Sequence, residues 1–230
     1  GLVEEESWIV FDRNIISRND KQARPVEIAY SLSEDKETKK ESINRIQRSP
    51  LVVFFPTEKE TRLGFMIQGP YRTTPARDNI PINDKWNKML IKETAELIRI
   101  SLLELREIGL LGINVIQTLP INSSEFPEES MFHPLYEYVK QMLFEYELIP
   151  TNDASYVSGK QAKLGRVESV RSLLSTKQLK CLFEEDHEVA WINEHVTQDR
   201  TPVLRNYLIN ALDIDEVTPE SVARRLTKQF

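Results

Sequence analysis

Residues 63–105 read LGFMIQGPYRTTPARDNIPINDKWNKMLIKETAELIRISLLEL, and three kinds of backbone follow one another in them. Leu63-Gly64-Phe65-Met66-Ile67-Gln68-Gly69 is short and mostly apolar, which reads as a strand. From Gly69 to Pro81 the chain carries Pro70, Pro75 and Pro81. Proline lacks the amide donor and fixes φ, so neither a regular helix nor a central strand can run through this segment. It is a loop. Asn83 or Asp84 then offers a short side-chain oxygen to the free amides of a first helical turn. Trp86, Leu90, Leu97, Ile98, Leu102 and Leu105 recur at helical spacing, with Lys88, Lys92, Glu96, Arg99 and Arg106 on the other side. Gly109 ends the helix.

Outward from this segment the pattern is mixed. Leu51-Val52-Val53-Phe54-Phe55, closed by Pro56, reads as a buried central strand, with Glu58-Lys59-Glu60-Thr61 as the hairpin link to the strand at 63. Trp8 to Phe11, continued by Ile15-Ile16, and Val26 to Leu32 read as two further strands joined by a loop at Arg18-Asn19-Asp20-Lys21-Gln22. Residues 34–48 carry charges of both signs, as a solvated loop does. Val115-Ile116 suggests a short strand before Pro120, and 132–147 an amphipathic helix. Beyond Pro150 the units shorten: a brief strand at Tyr156-Val157, then helical patterns over 167–184, 187–196, 201–212 and 218–228. Thr218 is the expected cap of the last, with Pro219 at its first position. The expectation is an α+β fold. An N-terminal β-sheet packed with long helices occupies 1–149, and a smaller, mainly helical part occupies 150–230.

The 230 residues include 36 acidic and 30 basic side chains, a net charge of −6, which disfavours a dedicated nucleic-acid binder. Cys181 is the single cysteine, so an intramolecular disulfide and an all-cysteine zinc site are excluded and a reducing, cytoplasmic setting is expected. Leu179, Leu182 and Phe183 around it suggest a small buried hydrophobe. No apolar run approaches a membrane span. The acidic opening Gly1-Leu2-Val3-Glu4-Glu5-Glu6 is unlike a secretory leader, and the glycine at position 1 suggests that more chain lies upstream.

Catalytic chemistry has little to build on. The seven glycines are scattered, with no phosphate-loop or dinucleotide fingerprint. His187 and His195, with Asp186 and Glu194, could share a metal only on one unbroken helix, and surface histidine is the commoner outcome. Glu184-Glu185-Asp186 reads as a solvated acidic run. No metal ligand set emerges, and a free-standing hydrolase is the least supported class.

The loop is the unusual segment. Arg72, Thr73, Thr74, Arg77, Asp78 and Asn79 sit on a proline-stiffened backbone that runs into a helix start. Arginine forks onto phosphate oxygens, and a helix start offers free amides to an anion. A structural loop, with Arg77 paired to Asp78 or a neighbouring acid and Thr73 and Thr74 satisfying the turn, is the alternative.

Strands 51–55 and 63–68, this loop and the helix after Trp86 resemble the region that follows the ATP-binding domain in sacsin-like, heat-shock-ninety-like ATPases of the GHKL type. The segment from Leu148 to Ser158 is similar to one found in sacsin-like proteins. The resemblance implies a transducer-like, chaperone-like segment without its own nucleotide pocket. Arg77 stands where the family places the arginine that reaches the γ-phosphate, with Arg72, Thr73, Thr74 and Asn79 as accompanying phosphate-side residues. Pro81 stands where the chaperone has a glutamine. ATP and Mg are implied in an upstream domain of the same chain, with no cofactor in these residues, and the fragment alone is implied to be inactive. The implied partners are that upstream domain and a protein client, with a homo-oligomer compatible and no membrane. An independent interaction module, unlinked to nucleotide, is the second reading.

Overall fold

The computed structural model describes residues 6–17, 20–35 and 37–229. The fold is α+β. The chain forms two compact units, Gly1–Val139 and Lys140–Phe230, so the division falls inside a helix rather than at Pro150.

The first unit is built on a mixed sheet. Strands β1 (Ser7–Ser17) and β2 (Asp20–Glu34) form a long antiparallel hairpin. Asp20 to Gln22 therefore belong to a strand rather than to the expected loop, and Arg18 and Asn19 lie outside the described residues. β3 (Glu41–Asn44) adds to β2, so the charged stretch 34–48 is not all loop. β4 (Pro50–Val53), β5 (Phe55–Glu60) and β6 (Met66–Gln68) complete the order β1-β2-β6-β4-β5.

The run 51–55, expected as one central strand, is instead split between β4 and β5. The chain reverses at Phe54, which takes a positive φ of 59°, and Phe55 already pairs back with Val53. Glu58 to Glu60 are strand, not link. Pro56 is tolerated because β5 is the sheet edge, where a missing ladder donor leaves no partner unpaired. Gly64 lies where two backbones nearly touch: a Cβ there would stand 2.5 Å from Thr118 Cα.

Helix α1 (Lys85–Glu107) runs as expected from an Asp84 cap, whose side chain accepts from Asn87 N, to Gly109 in the left-handed region at φ 76°. Its core face holds Leu90, Leu97, Ile98, Leu102 and Leu105 against Ile28, Tyr30, Phe65 and Ile67, all buried. Phe11, Tyr30 and Phe65 form a ring cluster, with centroids 6.1 and 4.9 Å apart. Within this apolar face runs a polar stripe, Asn87, Thr94 and Ser101, every member buried and bonded. Ser101 meets the Tyr30 hydroxyl at 3.1 Å and Thr94 the Tyr71 hydroxyl at 2.9 Å. Buried polar groups without partners would be costly, so these pairs fix which turn of the helix faces which strand. Residues 113–118 form helix α2 (Ile113–Thr118), which corrects the strand expected at Val115-Ile116. Helix α3 (His133–Glu145) follows.

The second unit is not purely helical. β7 (Ile149–Pro150) pairs with β8 (Tyr156–Val157). β9 (Ala162–Gly165), β10 (Ala190–Trp191) and β11 (Glu216–Val217) make a parallel three-stranded sheet of order β10-β9-β11. The helices between them are α4 (Glu168–Leu173), α5 (Thr176–Phe183), α6 (Pro202–Asn210) and α7 (Pro219–Gln229). The single helix expected over 167–184 is two, because Ser175 starts a new capping box with Gln178. The helix expected over 187–196 is β10 and turns instead. Thr218 caps α7 as expected, its Oγ1 accepting from Ser221 N at 3.2 Å. The core gathers Val170, Leu179, Leu182, Val189, Val217 and Val222. Cys181 is exposed, not buried: it lies two residues from Leu179, on the opposite side of α5. No helix among the described residues is long and apolar enough to cross a membrane.

Candidate functional site

The proline-rich loop between β6 and α1 is held at both ends by backbone contacts. Its entry is fixed by Asn87, whose Oδ1 accepts from Arg72 N at 2.8 Å and whose Nδ2 donates to Arg72 O at 2.9 Å. A side-chain amide thus pairs with both main-chain groups of one loop residue, as a neighbouring strand would. Trp86 Nε1 donates to Pro70 O at 2.8 Å. The Tyr71 ring is buried beneath, and burial pushes its hydroxyl above the ordinary range, so it stays protonated and bonded to Thr94.

Thr74 and Asn79 close the middle of the loop. Thr74 N donates to Asn79 O at 3.0 Å, and Asn79 N donates to Thr74 Oγ1 at 3.3 Å. Thr74 Oγ1 also donates to Asp78 Oδ1 at 2.5 Å, and the Asn79 carboxamide oxygen accepts from Ile80 N. The side chains of these two residues serve turn closure. Thr73 makes no side-chain hydrogen bond among the described residues.

The two arginines part company. Arg72 turns to the start of α1, where Nη1 meets Asp84 Oδ2 at 3.2 Å and the guanidinium lies 5.9 Å from the Trp86 ring centroid. Its side chain stays 66% exposed. The Asp84 carboxyl is held below its ordinary value of 3.8, first by the amide of Asn87 and further by Arg72. That carboxylate already fills the positive end of the helix, so an incoming anion at this point would meet a negative charge.

Arg77 turns the other way, to the β4–β5 hairpin. Its Nη2 donates to Val53 O at 2.8 Å and to Phe55 O at 3.1 Å, the two carbonyls that flank Phe54. Its own carbonyl accepts from Glu58 N at 3.2 Å. Arg77 takes a positive φ of 57° to make these contacts. The expected alternative, an Arg77–Asp78 pair, is corrected: Asp78 bonds Thr74, and Arg77 forms no ion pair among the described residues. A half-buried guanidinium whose partners are neutral carbonyls keeps its whole charge available to an anion.

Sequence reading missed the hairpin tip that Arg77 braces. Phe54 and Phe55 are 77% and 73% exposed, on a turn with a bulky residue in the left-handed region. A bulky side chain at positive φ is rare, and the bonds from Arg77 to the carbonyls on either side hold it there. Asn87 was also missed; the seven-residue steps from Asn87 to Thr94 to Ser101 were the available signal.

The remaining candidates do not assemble. His187 Nε2 meets Lys160 O, and His195 Nδ1 accepts from Arg200 Nη1 at 2.6 Å. No cluster of three or more histidine, cysteine, aspartate or glutamate side chains suited to a metal occurs among the described residues. The acidic run is not wholly solvated, because Glu185 pairs at 2.6 Å with Lys163, a lysine only 5% exposed that also meets Asp215 at 2.7 Å. Compared with known proteins, the chain matches no family model, no curated sequence and no solved structure.

Proposed function

We propose that this chain is a coupling segment of a cytoplasmic GHKL-type ATPase, in which Arg77 meets the γ-phosphate of a nucleotide held by another domain. The observation that carries the reading is the unneutralised Arg77 guanidinium, bonded to two hairpin carbonyls and to no carboxylate among the described residues. The resemblance of residues 51–81 and the following helix to the post-nucleotide region of sacsin-like ATPases supports it. Around the arginine loop no backbone cradle for a phosphate is open. Gly64 is filled by the Thr118 backbone, and the turn at Thr74 is closed on itself. In this reading ATP and Mg belong to the partner domain, and Arg77 supplies one charged contact. Arg72 is the secondary cation, already shared with Asp84.

The test is ATP turnover by the full-length protein carrying Arg77→Ala. Turnover is expected to fall at least about tenfold, the loss of one charge-assisted contact. Arg72→Ala is expected to matter less. Turnover unchanged in Arg77→Ala rejects the assignment.

A second reading is favoured by the exposed Phe54–Phe55 tip: a protein-interaction module with no nucleotide link. Isolated apolar side chains on a surface are ordinary, but two adjacent phenylalanines on a strained turn are not. Recruitment of a partner to the same extent with ATP, ADP or neither would favour this module over the coupling segment.

A further inference from the structure

The parallel sheet of the second unit has its own cavity, of about 650 Å³, a volume within the range of small-molecule sites. It lies at the carboxyl ends of the strands. Gly165 ends β9, and Arg166, Val167 and Glu168 follow it into the lining. The segment Glu194–Arg200, downstream of β10, lines a second side. Parallel sheets present ligand crevices at this end, because the loops leaving neighbouring strands diverge there. The order β10-β9-β11, with the first strand in the middle, is the arrangement that makes those loops diverge.

Only one pair of the charges lining the cavity neutralises itself among the described residues. Arg205 is paired with Glu216. Arg171 donates to the Gly165 carbonyl at 2.8 Å, and its stem packs where a Cβ on Gly165 would stand, 2.3 Å from Cγ. Arg200 Nη1 donates to His195 Nδ1. Among the described residues neither these two guanidiniums nor that of Arg166 forms an ion pair with a carboxylate. Glu168, Glu194 and Asp199 line the same cavity, and they too have no ion-pair partner among the described residues. Apart from Arg205 and Glu216, cations and carboxylates thus share one concavity without forming ion pairs with each other among the described residues, beside Val167 and Val196.

We propose that this cavity binds a small phosphorylated sugar, with Arg166, Arg171 and Arg200 on the phosphate and the carboxylates on sugar hydroxyls. Guanidinium matches phosphate oxygens in a fork, while a carboxylate accepts from vicinal hydroxyls. A purely anionic ligand would leave the carboxylates repelled, and an uncharged sugar would leave the guanidiniums unused. A sugar phosphate or a nucleoside monophosphate satisfies both sets. The site is independent of the arginine loop and of the function proposed above.

The test is calorimetric titration of the whole chain with ribose 5-phosphate, AMP, ribose and inorganic phosphate. Saturable binding of ribose 5-phosphate or AMP is expected, with ribose silent and inorganic phosphate weaker than either. AMP tighter than ribose 5-phosphate identifies a nucleotide as the source of the phosphate; equal affinities identify a sugar phosphate. Arg166→Gln and Arg200→Gln, both exposed and so compatible with the fold, are each expected to weaken binding about tenfold. Arg77→Ala is expected to leave it unchanged. Three results would overturn the proposal: neither phosphorylated probe binding at millimolar concentration, binding that survives both glutamine substitutions, or inorganic phosphate binding as tightly as ribose 5-phosphate.

Discussion

Replacing Phe54 by glycine should leave the first unit almost as stable as before, although it deletes an aromatic side chain from within an apolar run. Three effects set the sign. A side chain in the left-handed region costs roughly 1–2 kcal/mol, and glycine removes that cost. Glycine adds unfolded-chain entropy, costing roughly 0.5–1 kcal/mol. The ring is 77% exposed, so its burial contributes only about a quarter of the roughly 1.5–3 kcal/mol of a fully buried phenylalanine, or about 0.5 kcal/mol. The balance lies within about 1 kcal/mol of zero on either side. Had Phe54 been part of a central strand, as its apolar neighbours suggest, its loss would cost about 3–5 kcal/mol. Urea unfolding followed by the fluorescence of Trp8 and Trp86, with Trp191→Phe as the background, reports the first unit alone. Phe65→Ala, at a fully buried position, is the control for a large loss. A midpoint shift in Phe54→Gly as large as that of the control would refute the turn, and with it the claim that Arg77 braces a strained tip.

Other outcomes follow from the same contacts. Asn87→Ala removes both partners of the Arg72 main chain and should cost about 2–4 kcal/mol in the same urea assay. Gly64→Ala drives a Cβ against the Thr118 backbone, where neither chain can yield easily, and should cost about 1–3 kcal/mol. Asp84 has a lowered folded value, so its contribution is whole above the ordinary carboxylate range and is lost as pH falls through that lowered value. Asp84→Asn keeps the cap but should flatten the acid limb of stability below about pH 4, and an unaltered limb would argue against this role.

Much of the first unit was legible in the sequence because the signals were local. Asp84, the periodic leucines and Gly109 each act within a turn or two of themselves, so the helix was readable to within a residue at each end. Prolines announced the loop in the same way. The hairpin at Phe54 was not legible, because an apolar run says that residues favour burial or pairing but not where the chain reverses. No glycine or asparagine stands at Phe54, and Pro56 reads as the end of the run; the bonds from Arg77, distant in sequence, hold the turn. The stripe Asn87, Thr94 and Ser101 was not legible, since the partners of its side chains come from other elements. In the second unit the parallel strands β10 and β11 are two residues long, too short for any periodicity. Their pairing partners on β9 lie far off in the chain, which is why 187–196 read as a helix.

The two contacts of Arg77 bear on how a phosphate sensor could act at all. A ligand shifts a conformational equilibrium only by its difference in affinity between states. A guanidinium nitrogen that bonds the carbonyls of Val53 and Phe55 cannot at the same moment bond a phosphate oxygen along the same directions. A charged phosphate oxygen is the stronger acceptor, so on the proposed reading one that approaches Nη2 competes with the hairpin for Arg77. Loss of that brace would leave Phe54 free to abandon the left-handed region, recovering roughly 1–2 kcal/mol. Phosphate contact and tip conformation would then be linked, and linkage is reciprocal. A partner that grips the Phe54–Phe55 tip in its braced form must weaken the contact between Arg77 and phosphate by the same factor that the nucleotide weakens the partner's hold.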